Sequence, residues 1–315
     1  MTTSNSIMTV GTTVTPQSKE ATAVAIQDLL QKIDTPYIIT PYSQDFHNRC
    51  CAVALERGYP MGSDRTAPSL LPFIPSGVIM ACTAYTHIED EATRIFIALY
   101  TAFLVYVDDA YERDNERVCV FIERFLRREK QLDPVLDSMA SFLLEIPVHY
   151  EPVAASIILT STLNLINAST LEFQTKGMKA SLYAKGYPEF TRKLSGSSET
   201  YALMAFPRSI PVRNYIQCIP EAVTFIGYGN DVLSFYKEDA AGETVNCISL
   251  LAGCQGQPKM DVFKQLANDV AEAHVQVCKI LESDTEAFQA WQKFKDGYVG
   301  FHTSFDRYLL DDLMN

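Results

Sequence analysis

Near the C-terminus, Phe288, Trp291, Phe294, Tyr298, Phe301, Phe305 and Tyr308 recur at spacings of 3, 3, 4, 3, 4 and 3. That period suits an α-helix with one continuous aromatic stripe, because a strand would throw the same rings onto both faces of a sheet. Ser283-Asp284-Thr285-Glu286 just before it has the form of a capping box and marks the helix start. A stripe this long needs partners to bury it, and helical patterning elsewhere supplies them. Helices are expected over Ala21–Ile33, Gln44–Arg57, Val78–Tyr85, Glu89–Tyr111, Val135–Glu145, Val153–Thr175 and Pro188–Ala205, the last interrupted near Ser195-Gly196. A further helix opens at Pro220. Gly62–Pro75 and Pro207–Pro220 read as connections. Neither a two-residue alternation with hairpin turns nor an internal repeat is visible. The expected fold is all-α, a single domain over residues 21–315 behind a disordered, Thr- and Ser-rich tail at 1–20.

The 315 residues are 47% hydrophobic, enough for a sizeable core, and carry a net charge of −12. That charge disfavours nonspecific binding to nucleic acid or an anionic membrane. The eight cysteines contain no C-x-x-C pair, so reduced thiols are expected rather than a zinc site or a disulfide framework. The N-terminus lacks the basic and apolar regions of a signal peptide. The longest apolar run, Ile95–Val107, spans 13 residues, too few for a membrane helix. A cytoplasmic protein with no nucleic-acid or membrane partner is expected.

Two polar constellations interrupt this apolar pattern. In Tyr228–Glu238, Asn230, Ser234 and Glu238 recur every four residues and climb one side of a helix. Val232, Leu233, Phe235 and Tyr236 between them argue that the helix is packed. Amide, hydroxyl and carboxylate oxygens suit Mg²⁺ better than Zn²⁺. The second constellation, Asp108, Asp109 and Glu112, stands where an apolar helix reaches its end. Carboxylates crowded there repel one another unless a cation is bound. Each has a plainer reading: the first as a solvated polar face, the second as an acidic helix end paired with Arg113 and Arg117. Together they favour a metal site that handles an anion. A P-loop, a Rossmann glycine pattern and a G-x-S-x-G motif are all absent from the sequence.

Five segments carry a family resemblance: Val105–Glu112, Gly186–Gly196, Gly229–Glu238, Gly297–His302 and Arg307-Tyr308. In that order they resemble class I terpene cyclases, most closely the fungal trichodiene-synthase-like sesquiterpene cyclases. The resemblance implies a helical bundle around an apolar active-site cavity, and three Mg²⁺ ions as cofactors. It assigns Asp108, Asp109 and Glu112 to the aspartate-rich metal motif and Asn230, Ser234 and Glu238 to the second one, with Asp108 the favoured direct ligand. Arg192, Lys237, Arg307 and Tyr308 match the diphosphate-binding positions. Gly196 matches a helix break facing the substrate, and Tyr298 and Phe301 match pocket positions.

The implied activity is ionisation of farnesyl diphosphate, loss of inorganic diphosphate, and closure of the carbocation to a cyclic sesquiterpene hydrocarbon or alcohol. The enzyme is then a carbon–oxygen lyase acting on phosphates, and relatives are commonly homodimers. Metal ions and guanidinium groups stabilise the departing charge, while aromatic faces stabilise the cation by roughly 0.5–2 kcal/mol each. No residue is assigned as general base. Three alternatives stand beside this reading. The first is another prenyl-diphosphate enzyme of the same fold, a monoterpene or diterpene cyclase or a prenyltransferase, the last disfavoured because Asn230 and Ser234 replace a second D-D-x-x-D. The second is a metal-dependent phosphohydrolase, disfavoured by the scarcity of histidines. The third is a non-catalytic helical interaction protein.

Overall fold

In the computed structural model, residues 16–314 are described except 65, 114, 180, 182, 196 and 243–245; the side chains of 16, 17 and 111–113 also lie outside the described set. Every regular element among the described residues is helical. The N-terminal half contains α1 Pro16–Lys32, α2 Gln44–Glu56, α3 Ile74–Thr83, α4 Glu91–Arg113, α5 Asn115–Cys119, α6 Phe121–Leu126, α7 Pro134–Leu143, α8 Ile146–His149 and α9 Pro152–Gln174. The C-terminal half contains α10 Tyr187–Ser195, α11 Ser198–Met204, α12 Val212–Tyr215, α13 Ile219–Ala240, α14 Cys247–Gln255, α15 Lys259–Leu281, α16 Thr285–Thr303 and α17 Asp311–Met314. A 3₁₀ turn at Asp306–Tyr308 follows α16.

Where the boundaries differ from the sequence expectation, local chemistry explains it. Proline sits at the first helical positions of α3, where its missing N–H costs nothing, so Pro75 starts a helix whose expected beginning is Val78. The expected tail is helical from Pro16, and its first fifteen residues lie outside the described set. Asp133 caps α7 as its position before Pro134 suggests: Oδ1 accepts from the Val135 and Leu136 N–H groups at 2.8 and 3.1 Å. The box at 283–286 does not form. Asp284 is the cap, accepting from Ala287 N–H at 2.9 Å, while Glu286 accepts from the Ser209 hydroxyl at 3.3 Å.

A continuous cluster of buried side chains runs from Ile26 to Leu313. At its centre α3 packs on α4, α13 on α15 and α11, and α16 on α3. Two glycines permit the closest of these approaches. A Cβ at Gly77 would collide with the Ala98 carbonyl of α4, and one at Gly297 with the Thr83 carbonyl at the end of α3. Gly297 thereby seats α16, and with it Tyr298, Phe301 and His302, against the bundle. The segment between α1 and α2 runs along α16. Buried Lys295 donates to the carbonyls of Ile33 (2.7 Å) and Asp34 (3.2 Å), and Ser304 accepts from Thr40 N–H at 2.7 Å.

Helix α9 is long and apolar enough to cross a membrane, which the shorter run at Ile95–Val107 is not. It packs on α10 and α11. Its Thr162 hydroxyl lies 2.8 Å from the Tyr100 hydroxyl of α4 and donates to the Ile158 carbonyl.

Candidate metal–diphosphate site

Helix α13 holds the ladder against the core. Val232, Leu233 and Phe235 are buried, and the Phe235 ring stacks on Phe263 of α15 with centroids 4.6 Å apart. Ser234 is 2% exposed and donates its hydroxyl proton to Glu238 Oε1 at 2.6 Å. That bond leaves the lone pairs of the Ser234 oxygen directed elsewhere, as a metal ligand requires. Asn230, one turn earlier, is half-buried. Sequence spacing therefore identifies one continuous oxygen-donor edge. Among the described residues no cluster of three or more His, Cys, Asp or Glu side chains is arranged to hold a metal. The donor set fits a hard cation only through its amide and hydroxyl oxygens together with carboxylates from separate helices.

The turn Asp306–Tyr308 joins the two motifs. Arg307 Nη2 lies 3.9 Å from Asp108 Oδ2 at the acidic end of α4. The Tyr308 ring packs on His302 with centroids 4.5 Å apart, and burial pushes its phenol pKa up to about 12; Arg307 works against that rise, while Glu238 and Asp108 add to it. Asp108 is exposed and Asp109 half-buried. The side chain of Glu112 lies outside the described residues, as does Gly196.

Arg192, near the end of α10, is tied to α13. Its Nε donates to Asp231 Oδ2 at 2.8 Å and its Nη2 to the Gly227 carbonyl. Burial raises the Asp231 carboxyl even against the neighbouring guanidinium. Burial alone would lower the pKa of Arg192, but Asp231 reverses the direction and holds it above its usual value. The guanidinium thus stays charged one turn from Asn230, with further N–H donors in its fork. Lys237 is half-buried beside Glu238. Tyr298 donates its hydroxyl to the Ile226 carbonyl of α13 at 2.9 Å and packs among Phe225, Phe294 and His302. Phe301 is buried next to His302 and Tyr308.

Two side chains at this site escape a reading of the sequence. Asp231 gives no local signal, because its partner Arg192 is 39 residues away and no spacing announces such a pair. His302 reads from sequence as a packed or surface histidine rather than a base. It is packed, at 1% exposed, but it also meets Asn230: Nδ2 of the amide lies 3.2 Å from its Nε2.

The helical architecture matches that of solved terpene synthases. A linalool/nerolidol synthase from Streptomyces clavuligerus, in complex with 2-fluorogeranyl diphosphate, superposes with a TM-score of 0.60 at 12% identity, covering 89% of this chain and 97% of that one. Residues 74–315 match the family model described as Trichodiene synthase (TRI5), and the chain belongs to this family of terpene synthases. Among its relatives is alpha-cuprenene synthase COP6 of Coprinopsis cinerea, 38% identical over 92% of this chain and 89% of the relative. Monoterpene synthase 25 of Postia placenta is 33% identical over 78% of this chain and 74% of the relative.

Proposed function

We propose that this protein is a sesquiterpene synthase that ionises farnesyl diphosphate and closes the resulting cation to a cyclic sesquiterpene hydrocarbon or alcohol, releasing inorganic diphosphate. The observation that carries the reading is the turn at Arg307-Tyr308: Arg307 reaches Asp108 on one side, and Tyr308 packs on His302, the neighbour of Asn230, on the other. The two oxygen-donor motifs, 122 positions apart in the chain, thereby face one anion-binding region. Asn230, Ser234 and Glu238 on α13, with Asp108, Asp109 and Glu112 on α4 and Asp108 the favoured direct ligand there, would hold three Mg²⁺ ions. When bound, Mg²⁺ supplies Lewis-acid stabilisation of the departing diphosphate.

The remaining work belongs to the chain itself. Arg192 and Arg307 present forked donors to phosphate oxygens, and Lys237 and Tyr308 add single donors. Tyr298 and Phe301 line the route of the cation, while Gly196, which matches the family's substrate-facing helix break, lies outside the described residues. Asp231 holds Arg192 in place until an anion competes for the guanidinium. The buried aromatic stripe of α16 keeps water from the cation. Residues 21–315 act as one domain, supported by the uninterrupted core from Ile26 to Leu313. The protein works in the cytoplasm without nucleic acid or membrane as partner; α9 stays with the bundle through its packing on α10 and α11.

The test is incubation of the purified protein with geranyl, farnesyl and geranylgeranyl diphosphates and Mg²⁺, followed by mass spectrometry of the organic extract. A cyclic sesquiterpene from the farnesyl substrate is expected. Absence of any volatile product from folded protein would refute the reading. The relative named as a monoterpene synthase makes the geranyl arm a real competitor, and products from it alone would move the substrate to ten carbons. Asn230→Ala and Glu238→Ala should each remove most turnover with little loss of helix content.

A further inference from the structure

The contacts behind Asn230 determine which end of its amide can serve a cation. His302 is 1% exposed, and its Nδ1 lies 2.9 Å from the Tyr298 carbonyl one turn earlier on α16. A carbonyl only accepts, so Nδ1 carries a proton. Nε2 faces the Nδ2 end of the Asn230 amide, which can only donate, so Nε2 meets it with a bare lone pair and the ring is neutral. Asn230 Nδ2 lies 3.2 Å from that lone pair. An amide can meet a lone pair only with its NH₂ end. Its oxygen, the one atom of Asn230 able to ligate Mg²⁺, is therefore kept off the imidazole. In the opposite tautomer Nε2–H would demand that oxygen for itself.

We propose that His302 is a positioning residue for the metal site: held as the Nδ1–H tautomer by the Tyr298 carbonyl, it orients the Asn230 amide so that Oδ1 is presented for ligation. This rests on Asn230 being a metal ligand, as proposed above. Its surroundings hold the device in register. The Tyr298 hydroxyl bonds to the Ile226 carbonyl, pinning α16 to α13 one turn before Asn230. The Tyr308 ring lies 4.5 Å from the imidazole and shields it from water. Gly297 allows α16 its close approach to α3. A histidine serving only as core filler would have no required tautomer.

Two measurements on the full chain test this. ¹⁵N NMR of histidine-labelled protein at neutral pH should show the resonance that is lost in His302→Gln to be protonated at Nδ1 and bare at Nε2. An Nε2–H tautomer or an imidazolium overturns the proposal. Calorimetric titration of Mg²⁺ in the presence of inorganic diphosphate should show His302→Leu weakened by about 10–100-fold. His302→Gln, whose side-chain oxygen can accept from the Asn230 amide, should bind nearly as well as wild type. A folded His302→Leu variant that binds Mg²⁺ like wild type also overturns the proposal; if that variant fails to fold, the tautomer decides alone. Asn230→Ala separates the two levels: unchanged Mg²⁺ binding there refutes the metal assignment beneath the proposal, whereas lost binding there with normal binding in His302→Leu refutes only the positioning role.

Discussion

Replacing Gly297 with alanine should destabilise this protein even though alanine is the better helix former. In a solvent-exposed helix interior the exchange is worth about 0.5–1 kcal/mol in favour of alanine. Gly253, exposed in α14, meets that condition, since a Cβ added there would find no neighbour within 4 Å. At Gly297 the same methyl would collide with the Thr83 carbonyl and the following backbone. Backbone cannot rotate away as a side chain can, so α16 has to move relative to α3. Overpacking of a core typically costs about 1–3 kcal/mol, and a rigid backbone neighbour places this site near the upper end. Subtracting the propensity gain leaves a net loss of about 2 kcal/mol, a fall in Tm of about 3 °C for a domain of this size. Gly253→Ala should rise by about 1–1.5 °C in the same scan. Differential scanning calorimetry of the pair checks this, with urea midpoints as a second reading. Equal stabilisation by both exchanges would show that the close approach of α16 to α3 is wrong, and with it the seat of His302 and the Arg307-Tyr308 turn. Turnover should fall in Gly297→Ala and hold in Gly253→Ala.

Three further outcomes follow from named contacts. Asp133→Ala removes both the α7 cap and the acceptor that the Tyr106 hydroxyl uses at 2.7 Å, just below the acidic end of α4; a loss of about 2 kcal/mol in urea unfolding is expected, and a loss below experimental error would refute it. His149 and His274 are both pushed down to about 4 by burial, so each is neutral in the fold and protonates more readily when unfolded. Their stabilisation is complete above about pH 6.5 and is lost as pH falls toward 4, costing about 2 kcal/mol per histidine by pH 5; an unchanged urea midpoint between pH 7 and 5 would contradict this. Arg192→Lys keeps a charge but cannot span Asp231 and the Gly227 carbonyl as Nε and Nη2 do, so kcat should drop at least about 10-fold while helix content stays the same.

Periodicity is a local property, and what it controls is legible in the chain. The 3-and-4 spacing of aromatics predicts α16, the four-residue spacing of Asn230, Ser234 and Glu238 predicts a shared edge on α13, and Asp133 before a proline predicts the cap of α7. Pro75 shows the limit even locally, since a proline can break one helix or open the next, and only the packing of α3 on α4 chooses between them. The pairing of Arg192 with Asp231, the contact of Arg307 with Asp108 and the choice of His302 as neighbour to Asn230 join residues 39, 199 and 72 positions apart. Sequence by itself determined the helices, the candidate oxygen donors and the family. Tertiary structure alone decided which charges neutralise one another and which side chain meets the Asn230 amide, because those depend on distances between helices that no spacing along one helix encodes.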